Sequence, residues 1–305
     1  MKHLTRKEFI QTASLLAASL ASEPILNLAK KSALLSFSTL GCPDWSFEQI
    51  TDFAVKHGYK GLEIRGLQRE MDLTKSPEFR TDTTRRATVK MMKQKGLKFV
   101  GLGSSANLHL PEGAERDKNL AEAKSFIDLA GQIGCPYVRV FPNNYSKDET
   151  KATVQARIAK GLLQLGDHAK GKGVTVLMET HGDVVWIEDI AAIMSAADHK
   201  QVGLLWDVSN MWSVTKESPK EAYAQLKKHI RHIHVKDAKI AEGKLAYTLL
   251  GKGDVPIFEA IDALADGGYK GFYSFEWEKL WHPEIEAPEI ALAHFPGAMK
   301  EHMKP

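Results

Sequence analysis

Four polar residues stand at the ends of four apolar segments in the second half of this 305-residue chain. They are Glu179 after VTVLM, Asp207 after VGLLW, His234 within HIHV and Glu276 after FYSF. Such apolar segments are typical of strands buried on both faces, where a carboxylate or imidazole is costly unless something pairs with it. Carboxylate oxygens and an imidazole nitrogen suit Mn, Co, Mg or Zn. We therefore predict that these four residues bind one divalent metal ion.

Proton abstraction next to a carbonyl is the chemistry that such a site offers. A metal that contacts a substrate carbonyl and its neighbouring hydroxyl stabilises the enediolate formed when the adjacent carbon loses its proton. One carboxylate must accept that proton, so Glu179 and Glu276 are predicted to be catalytic as well as ligands. Return of the proton gives an epimer or isomer, whereas departure of a β-substituent gives a dehydrated or cleaved product. The residues leave both outcomes open.

The elements that must position these residues follow from an alternation of apolar, β-branched segments with segments of helical spacing. Strands are predicted at Leu34–Leu40, Gly61–Ile64, Phe99–Leu102, Tyr137–Phe141, Val174–Glu179, Val202–Asp207, Ile230–Lys236 and Phe272–Trp277. Helices are predicted at Ser46–Lys56, Thr83–Lys95, Asn119–Ile133, Lys151–Lys170, Ile187–Ala197, Pro219–His229 and Pro256–Ala265. This count favours an α/β fold, a single (β/α)8 TIM barrel over residues 34–305. The alternative, a doubly wound open sheet, usually has a glycine-rich phosphate loop after its first strand, which this chain lacks.

A barrel would bring the four candidate ligands together. Active sites of (β/α)8 barrels lie at the C-terminal ends of the strands, and the four residues end predicted strands five to eight. Because neighbouring strands are about 4.8 Å apart, side chains at equal height on four of them can reach one ion.

Other residues near these strand ends are predicted to complete the site. Lys236 and Asp237 directly follow a proposed ligand, and Lys236 shares the strand face of His234. His232 lies one layer deeper and is expected to pack or to orient a ligand. Glu63 could contact substrate, orient a ligand or pair with Arg139. The residues predicted to contact substrate are Glu63, His109, His181, Asn210, Trp45, Trp277 and Asp237.

Composition limits the classes of partner. The 41 basic and 38 acidic residues give a net charge of +3, too little to hold nucleic acid by an overall field. Only two cysteines occur, without a CxxC spacing, so neither a disulfide framework nor a cysteine zinc site is indicated. No stretch approaches the roughly 18 apolar residues of a membrane span. A small-molecule substrate is therefore expected, and a homo-oligomer is allowed, with the last helix either packed across the bottom of the barrel or at a contact between copies.

The N-terminus predicts export. Lys2, Arg6 and Lys7 precede small and apolar residues from Ala13 to Ala21. This pattern is typical of a signal peptide, either general secretory or twin-arginine-like with lysine as the second basic residue. We predict a signal over residues 1–22, a linker over 23–33 and a periplasmic location. If the segment is instead a first helix of the domain, the protein is cytoplasmic.

Several motifs resemble one known family. They are ETHG from Glu179, DVSN from Asp207, HVKD from His234, GKGDV from Gly251 and SFEWE from Ser274. They are similar to the sugar phosphate isomerase/epimerase group of the xylose-isomerase-like TIM barrel superfamily, over nearly the whole chain after the N-terminal segment. The resemblance implies a single metal held by Glu179, Asp207, His234 and Glu276, and a carbohydrate or polyol substrate. A metal-dependent sugar isomerase or epimerase is the function predicted first.

Departures from the family pattern keep other functions open. Ketose 3-epimerases of this superfamily have histidine where this chain has Asn210 and arginine where it has Ile240. A keto-sugar or inosose dehydratase using the same site is the first alternative, with Lys236 as an acid or a cation that polarises the carbonyl. A sugar-binding barrel without turnover is the second. The related endonuclease IV needs an Asp-x-His after strand seven, and the sequence Asp237-Ala238-Lys239 does not provide it.

Overall fold

Eight parallel strands close into a barrel in the computed structural model, which describes residues 33–241 and 244–304. The strands are β1 (Leu34–Ser38), β2 (Gly61–Ile64), β3 (Lys98–Asn107), β4 (Tyr137–Phe141), β5 (Thr175–Glu179), β6 (Val202–Asp207), β7 (Ile230–Val235), β8 (Asp237–Ala241), β9 (Lys244–Thr248) and β10 (Phe272–Phe275). All but β8 and β9 belong to the barrel, and β10 closes it against β1. The prediction of a single-domain TIM barrel is confirmed.

Helices connect the strands and cover the outside of the barrel. Those in the described residues are α1 (Phe47–Lys56), α2 (Asp82–Gln94), α3 (Ala114–Ile133), α4 (Lys151–Ala169), α5 (Ile187–Ala196), α6 (Val208–Thr215), α7 (Pro219–Leu226), α8 (Ile257–Asp266) and α9 (Pro288–His302). Sequence signals explain several of their ends. Ser46 and Gln49 form a reciprocal capping box at the start of α1. Gly134 ends α3 with φ of 70°, a left-handed conformation that glycine adopts without steric cost.

The apolar core lies between the barrel and its helices. Large side chains there, such as Trp206 and Phe126, are almost completely buried. Helix α9 packs on the barrel wall, where Phe295 stacks on Phe275 at 4.7 Å and the Tyr59 hydroxyl donates to Leu292 O at 2.7 Å. Helix α9 thus lies against the barrel wall rather than across the bottom of the barrel, and its role in a contact between copies stays a prediction.

Two elements at the C-terminal side of the barrel were not predicted. Helix α6 begins directly after Asp207, and the antiparallel hairpin of β8 and β9 follows β7 with Asp237 opposite Thr248. Both are short, and neither has a hydrophobic periodicity long enough to be recognised in the sequence. Strand β3 is also longer than predicted, because an irregular register after Gly103 carries it on to Asn107.

The predicted export signal and almost all of the linker lie outside the described residues, which begin at Ala33, directly before β1. Within the described part, no helix is both long enough and apolar enough to cross a membrane.

Candidate active site

The four predicted ligands converge at the C-terminal end of the barrel. Each offers a ligand atom within 4.8 Å of the others. His234 Nδ1 lies 3.4 Å from Glu179 Oε1, 3.6 Å from Asp207 Oδ2 and 3.3 Å from Glu276 Oε2. All four residues are buried, with at most 4% of any one exposed. Three carboxylates therefore face one imidazole nitrogen in a space closed to bulk solvent.

The four candidate ligands are not directly opposite one another in the strand register, as side chains at equal height were expected to be. Asp207 is directly opposite His234, but Glu179 is opposite Leu205, two residues earlier on β6. Glu276 lies just beyond the end of β10. Because barrel strands tilt against the barrel axis, residues at one height are staggered in register from strand to strand. This stagger lets the four side chains meet.

Glu63 fixes the orientation of His234. Its Oε1 lies 2.9 Å from His234 Nε2, and its Oε2 accepts from His232 Nε2 and Ser274 Oγ, each at 3.0 Å. Burial acts to raise the pKa of Glu63, but the two histidines hold it well below its ordinary value. The network thus assigns the proton of His234 to Nε2 and directs Nδ1 at the carboxylates. Of the roles considered for Glu63, this geometry favours orientation of a ligand over contact with substrate, and it places His232 in the packed position predicted.

Atoms left without hydrogen bonds support a cation at the centre of this cluster. Within the described residues, Glu179 Oε2, Asp207 Oδ2 and His234 Nδ1 are buried and have no hydrogen-bond partner. Burial acts to lower the pKa of His234, but Glu276, Glu63 and Glu179 raise it well above its ordinary value. Positive charge is therefore strongly favoured here. The donor set fits one divalent metal ion, although Arg139 and Lys236 already lie 3.0 Å and 2.8 Å from Glu179 Oε2 and Asp207 Oδ2.

The two carboxylate oxygens of Asp207 have different roles. Its Oδ1 accepts the backbone N–H of Asn210 at 2.8 Å and so caps the start of α6. Its backbone N–H donates to Thr180 Oγ1 at 2.8 Å, which fixes the strand end. Only Oδ2 is left to face the cluster. The unpredicted helix α6 thus orients this carboxylate.

Lys236 extends its ammonium group into the same cluster. It is 1% exposed, and its Nζ lies 2.7 Å from Glu276 Oε2 and 2.8 Å from Asp207 Oδ2, with a third ion pair to Glu278. Burial acts to lower its pKa, but Asp207, Glu276 and Glu278 raise it well above its ordinary value. Lys236 is therefore a protonated group in contact with two candidate ligands.

Arg139 pairs with a different carboxylate from the one considered in the sequence. Its Nε lies 3.0 Å from Glu179 Oε2, out of line for a hydrogen bond, and not beside Glu63. Its NH1 donates to Ser104 O at 2.7 Å, and its guanidinium lies 3.8 Å from the centre of the Phe141 ring. The expected ion pair between Glu63 and Arg139 is therefore not formed. Arg139 instead offsets the negative charge of Glu179.

Four of the predicted substrate contacts are half-buried around the barrel mouth: Trp45, His109, His181 and Asn210. His181 Nδ1 lies 2.8 Å from Asn143 Oδ1, and the Asn210 amide donates to Thr180 O at 3.3 Å. Trp45 packs against Phe53 with ring centres 4.9 Å apart. Their contact with substrate stays a prediction.

The structure argues against two predicted substrate contacts. Trp277 is fully buried, and its indole N–H donates to Glu286 O at 3.0 Å. The Asp237 carboxylate is occupied by three backbone N–H groups at 2.9 Å, those of Ala238, Gly251 and Gly253. Each directly follows a residue that points into the barrel, so its own side chain points the other way.

Other residues at the site were not assigned a role from the sequence. Arg65 is 6% exposed and lies two residues after Glu63, so the shared strand face was a usable signal. Asn143, with φ of 51°, links His181 to Asn107 through its amide. Tyr247 on β9 has its ring centre 5.6 Å from Lys236 Nζ, but no sequence signal placed its hairpin there.

Known proteins share this architecture. An inosose dehydratase of Clostridium perfringens is 26% identical over 282 residues, covering 80% of this chain and 85% of the relative. The solved structure of an IolI protein with a bound zinc atom superposes with a TM-score of 0.74 at 19% identity, covering 88% of this chain and 97% of that one. A D-psicose 3-epimerase of Clostridium cellulolyticum H10, solved with D-tagatose, gives a TM-score of 0.69 at 16% identity, covering 88% and 98%.

The family resemblance predicted from the motifs is confirmed over most of the chain. A family model described as xylose isomerase-like TIM barrel matches residues 51–295, which include all four converging ligands. The barrel and the family model agree, and the chain belongs to the xylose isomerase-like TIM barrel family.

Proposed function

We propose that this protein is a divalent-metal-dependent dehydratase that removes water from a keto sugar or keto-polyol. The observation that carries the proposal is the position of Lys236, whose ammonium lies 2.7 Å from Glu276 and inside the ligand cluster. One glutamate of the cluster is thus paired with an acid, while the other, Glu179, keeps a buried oxygen free of hydrogen bonds. An acid and a base in one site are what an elimination needs. The similarity to an inosose dehydratase supports the same reaction class.

Glu179 is the proposed base. Arg139 lies 3.0 Å from its Oε2 and, together with His234, offsets the effect of burial, so that the pKa of Glu179 is below its ordinary value and the group is ionised. It takes the proton from the carbon next to the substrate carbonyl. The electrons of that C–H bond form the carbon–carbon double bond of an enediolate, and the carbonyl oxygen gains the negative charge.

Lys236 is the proposed acid. As the enediolate collapses to a ketone, the double bond shifts and the hydroxyl on the β-carbon leaves with a proton from the Lys236 ammonium, as water. The product is an α,β-unsaturated ketone. The proton held by Glu179 later returns to solvent, and Lys236 is reprotonated, so neither an oxidant nor a reductant is needed.

Glu179, Asp207, His234 and Glu276 would hold the metal ion. When bound there, a divalent cation acts as a Lewis acid toward the substrate carbonyl and stabilises the negative charge that develops on its oxygen. Carboxylate and imidazole donors suit Mn, Co, Mg and Zn alike.

A sugar isomerase or epimerase is the second candidate. It is favoured by the presence of two glutamates in the cluster, Glu179 on β5 and Glu276 after β10, one of which could abstract the proton and the other return it. Against it, Glu276 is bonded to Lys236, and the chain has Asn210 and Ile240 in place of the epimerase histidine and arginine. A sugar-binding barrel without turnover is the third candidate.

Proton NMR in D2O distinguishes these functions. The manganese-loaded protein is incubated with inososes, 3-keto-glycosides and free ketoses, and deuterium incorporation and product are followed together, with spectra recorded after metal removal. We expect an unsaturated ketone from the wild type. K236M should still exchange deuterium next to the carbonyl but should form product at least about 100-fold more slowly, because only the acid is lost. E179Q should lose both exchange and product.

K239M is the matched control, since Lys239 is exposed three residues further along the chain. Its activity should equal that of the wild type. Accumulation of an epimer or isomer would replace the dehydratase by the second candidate. Tight ligand binding with no exchange in any compound would favour the binding barrel.

A further inference from the structure

Arg65 is a buried cation whose only hydrogen-bond partners in the described structure are neutral oxygens. Its NH2 donates to Ser105 Oγ at 3.0 Å, and its NH1 makes a long contact to Gly103 O at 3.4 Å. No ion pair joins it to any described carboxylate within 4 Å, although it is only 6% exposed. A guanidinium with five donors is therefore only partly satisfied.

The other two buried cations around the site differ in this respect. Arg139 has Glu179 at 3.0 Å, and Lys236 has Glu276 at 2.7 Å. Arg65 lies beside Arg139 and within electrostatic reach of Glu179 and Glu276, and burial followed by Arg139 lowers its pKa to about 9. Glu122, the nearest remaining acid, accepts the backbone N–H of Ser105. Of these three buried cations, Arg65 is thus the one without a described carboxylate within 4 Å.

Gly103 makes room for the two arginines. A Cβ atom at this position on β3 would lie 2.5 Å from Arg65 Cδ and 3.0 Å from Arg139 NH2. Any larger residue would displace one guanidinium or the other. The absence of a side chain at Gly103 therefore allows both cations to lie side by side on the inner face of the barrel.

We propose that Arg65, with Ser105, binds an anionic oxygen group of the substrate, a carboxylate or a phosphate. Ser105 lies on β3, four strands from β7 around the eight-stranded barrel, and Arg65 directly follows β2, three strands from β7, so this anion site lies on the far side of the barrel mouth from Lys236. A substrate whose carbonyl meets the ligand cluster would extend its charged end toward β2 and β3. This inference rests on the proposed function for the position of the reacting carbons, and it narrows the substrate class from keto-polyols to those that carry a negative charge.

Binding of unreactive probes tests the anion site without turnover. Isothermal titration calorimetry compares D-gluconate, D-glucitol and D-glucitol 6-phosphate on the manganese-loaded protein after free metal is removed. The three share one six-carbon chain of the same configuration, and the charged group is a carboxylate at C1 in gluconate and a phosphate at C6 in glucitol 6-phosphate. We expect gluconate or glucitol 6-phosphate to bind at least roughly tenfold more tightly than glucitol, as charge-assisted hydrogen bonds to a buried guanidinium require. The tighter of the two identifies the anionic group.

Substitution of Arg65 must remove that preference. R65Q should bind gluconate, glucitol 6-phosphate and glucitol about equally, with the affinity for glucitol unchanged, while R65K should keep part of the preference. R69Q is the matched control, because Arg69 is an exposed arginine on the same loop paired with Asp44, and it should behave as wild type. Thermal unfolding of each variant shows whether the barrel is intact, and S105A, a milder change at the same contact, should reduce the preference by a smaller factor.

Two results would overturn the inference. A wild type without preference for the anions shows that no anion site exists. A preference that persists in R65Q shows that the carboxylate or phosphate binds the metal instead. Either result leaves the proposed dehydratase reaction intact, since that depends on Glu179 and Lys236. Conversely, a charge preference that depends on Arg65, in a protein that turns over no substrate, would support the anion site and reject the reaction.

Discussion

The two halves of the barrel contribute different chemistry to one site. Strands β5, β6, β7 and β10 carry the four converging ligands, all carboxylates or imidazole. Strands β2 and β4 of the first half carry Glu63, Arg65 and Arg139, none of which belongs to that set of four. Glu63 instead holds His234, and Arg139 compensates Glu179. The second half supplies the candidate ligands, and the first half orients them and balances their charge.

This comparison explains why the first half carries weaker sequence signals. A ligand is restricted in type, because only a few side chains bind a metal. A residue that orients a ligand needs only a hydrogen bond at the right place, which several residue types can supply. Loss of a ligand should therefore abolish metal binding, whereas loss of an orienting residue should weaken it.

The largest effect is expected from the ligand half. D207N keeps the size of the side chain but removes the negative charge of a candidate ligand whose Oδ2 lies 3.6 Å from His234 Nδ1. The Kd for Mn²⁺ should rise more than about 100-fold, beyond the 10- to 100-fold typical of residues that only orient ligands. Calorimetric titration of the metal-free protein measures it.

D237N is the control for that substitution, since Asp237 is equally buried but its carboxylate binds backbone N–H groups outside the cluster. It should keep its affinity for Mn²⁺ and lose about 2 kcal/mol of unfolding free energy in urea, because an amide cannot accept all three N–H bonds. Equal loss of metal affinity in both variants would contradict the assignment of Asp207.

A smaller effect is expected from the orienting half. E63Q removes the charge that holds His234 Nε2–H, so the Kd for Mn²⁺ should rise about 10- to 100-fold. S274A removes only one hydrogen bond to Glu63 and should have a still smaller effect. If E63Q instead abolished metal binding as D207N does, Glu63 would be a ligand and the division between the halves would fail.

Per pH unit, the change expected in metal affinity with pH is no larger than the lower end of the range for E63Q. In the metal-free protein the pKa of His234 lies well above its ordinary 6.5, since Glu276, Glu63 and Glu179 outweigh its burial. This protonation stabilises the metal-free fold fully below pH 6.5, and that stabilisation is lost as pH rises through the raised pKa. A metal ion must displace the proton, so affinity should increase with pH by up to about tenfold per unit.

Titrations of Mn²⁺ between pH 6 and 8, in buffers of different ionisation enthalpy, measure both the affinity and the protons released. Release of about one proton per metal is expected. An affinity that is constant over this range, with no proton release, would show that His234 is already neutral and that the carboxylates do not control it.

Sequence reasoning predicted the barrel well because its signal is local. Eight apolar segments, each buried between helices and barrel interior, were visible as continuous runs, and all eight strands are present. The convergence of Glu179, Asp207, His234 and Glu276 could also be predicted, because the barrel places all strand ends at one rim. Trp277 and Asp237 were predicted to contact substrate because each follows a ligand or Lys236 directly, but alternation along a strand turns the next residue away, and both side chains are buried.

The sequence by itself determined the fold class, the family and the types of ligand available, because hydrophobic period and residue chemistry are properties of the chain. Only the tertiary structure decided which partner each charge would have. Glu63 faces His234 from a strand that lies far away in sequence. Arg139 pairs with Glu179, and Arg65 has no carboxylate partner among the described residues. These pairings depend on strand tilt and stagger around a closed barrel, which set distances of a few ångströms that no local pattern encodes.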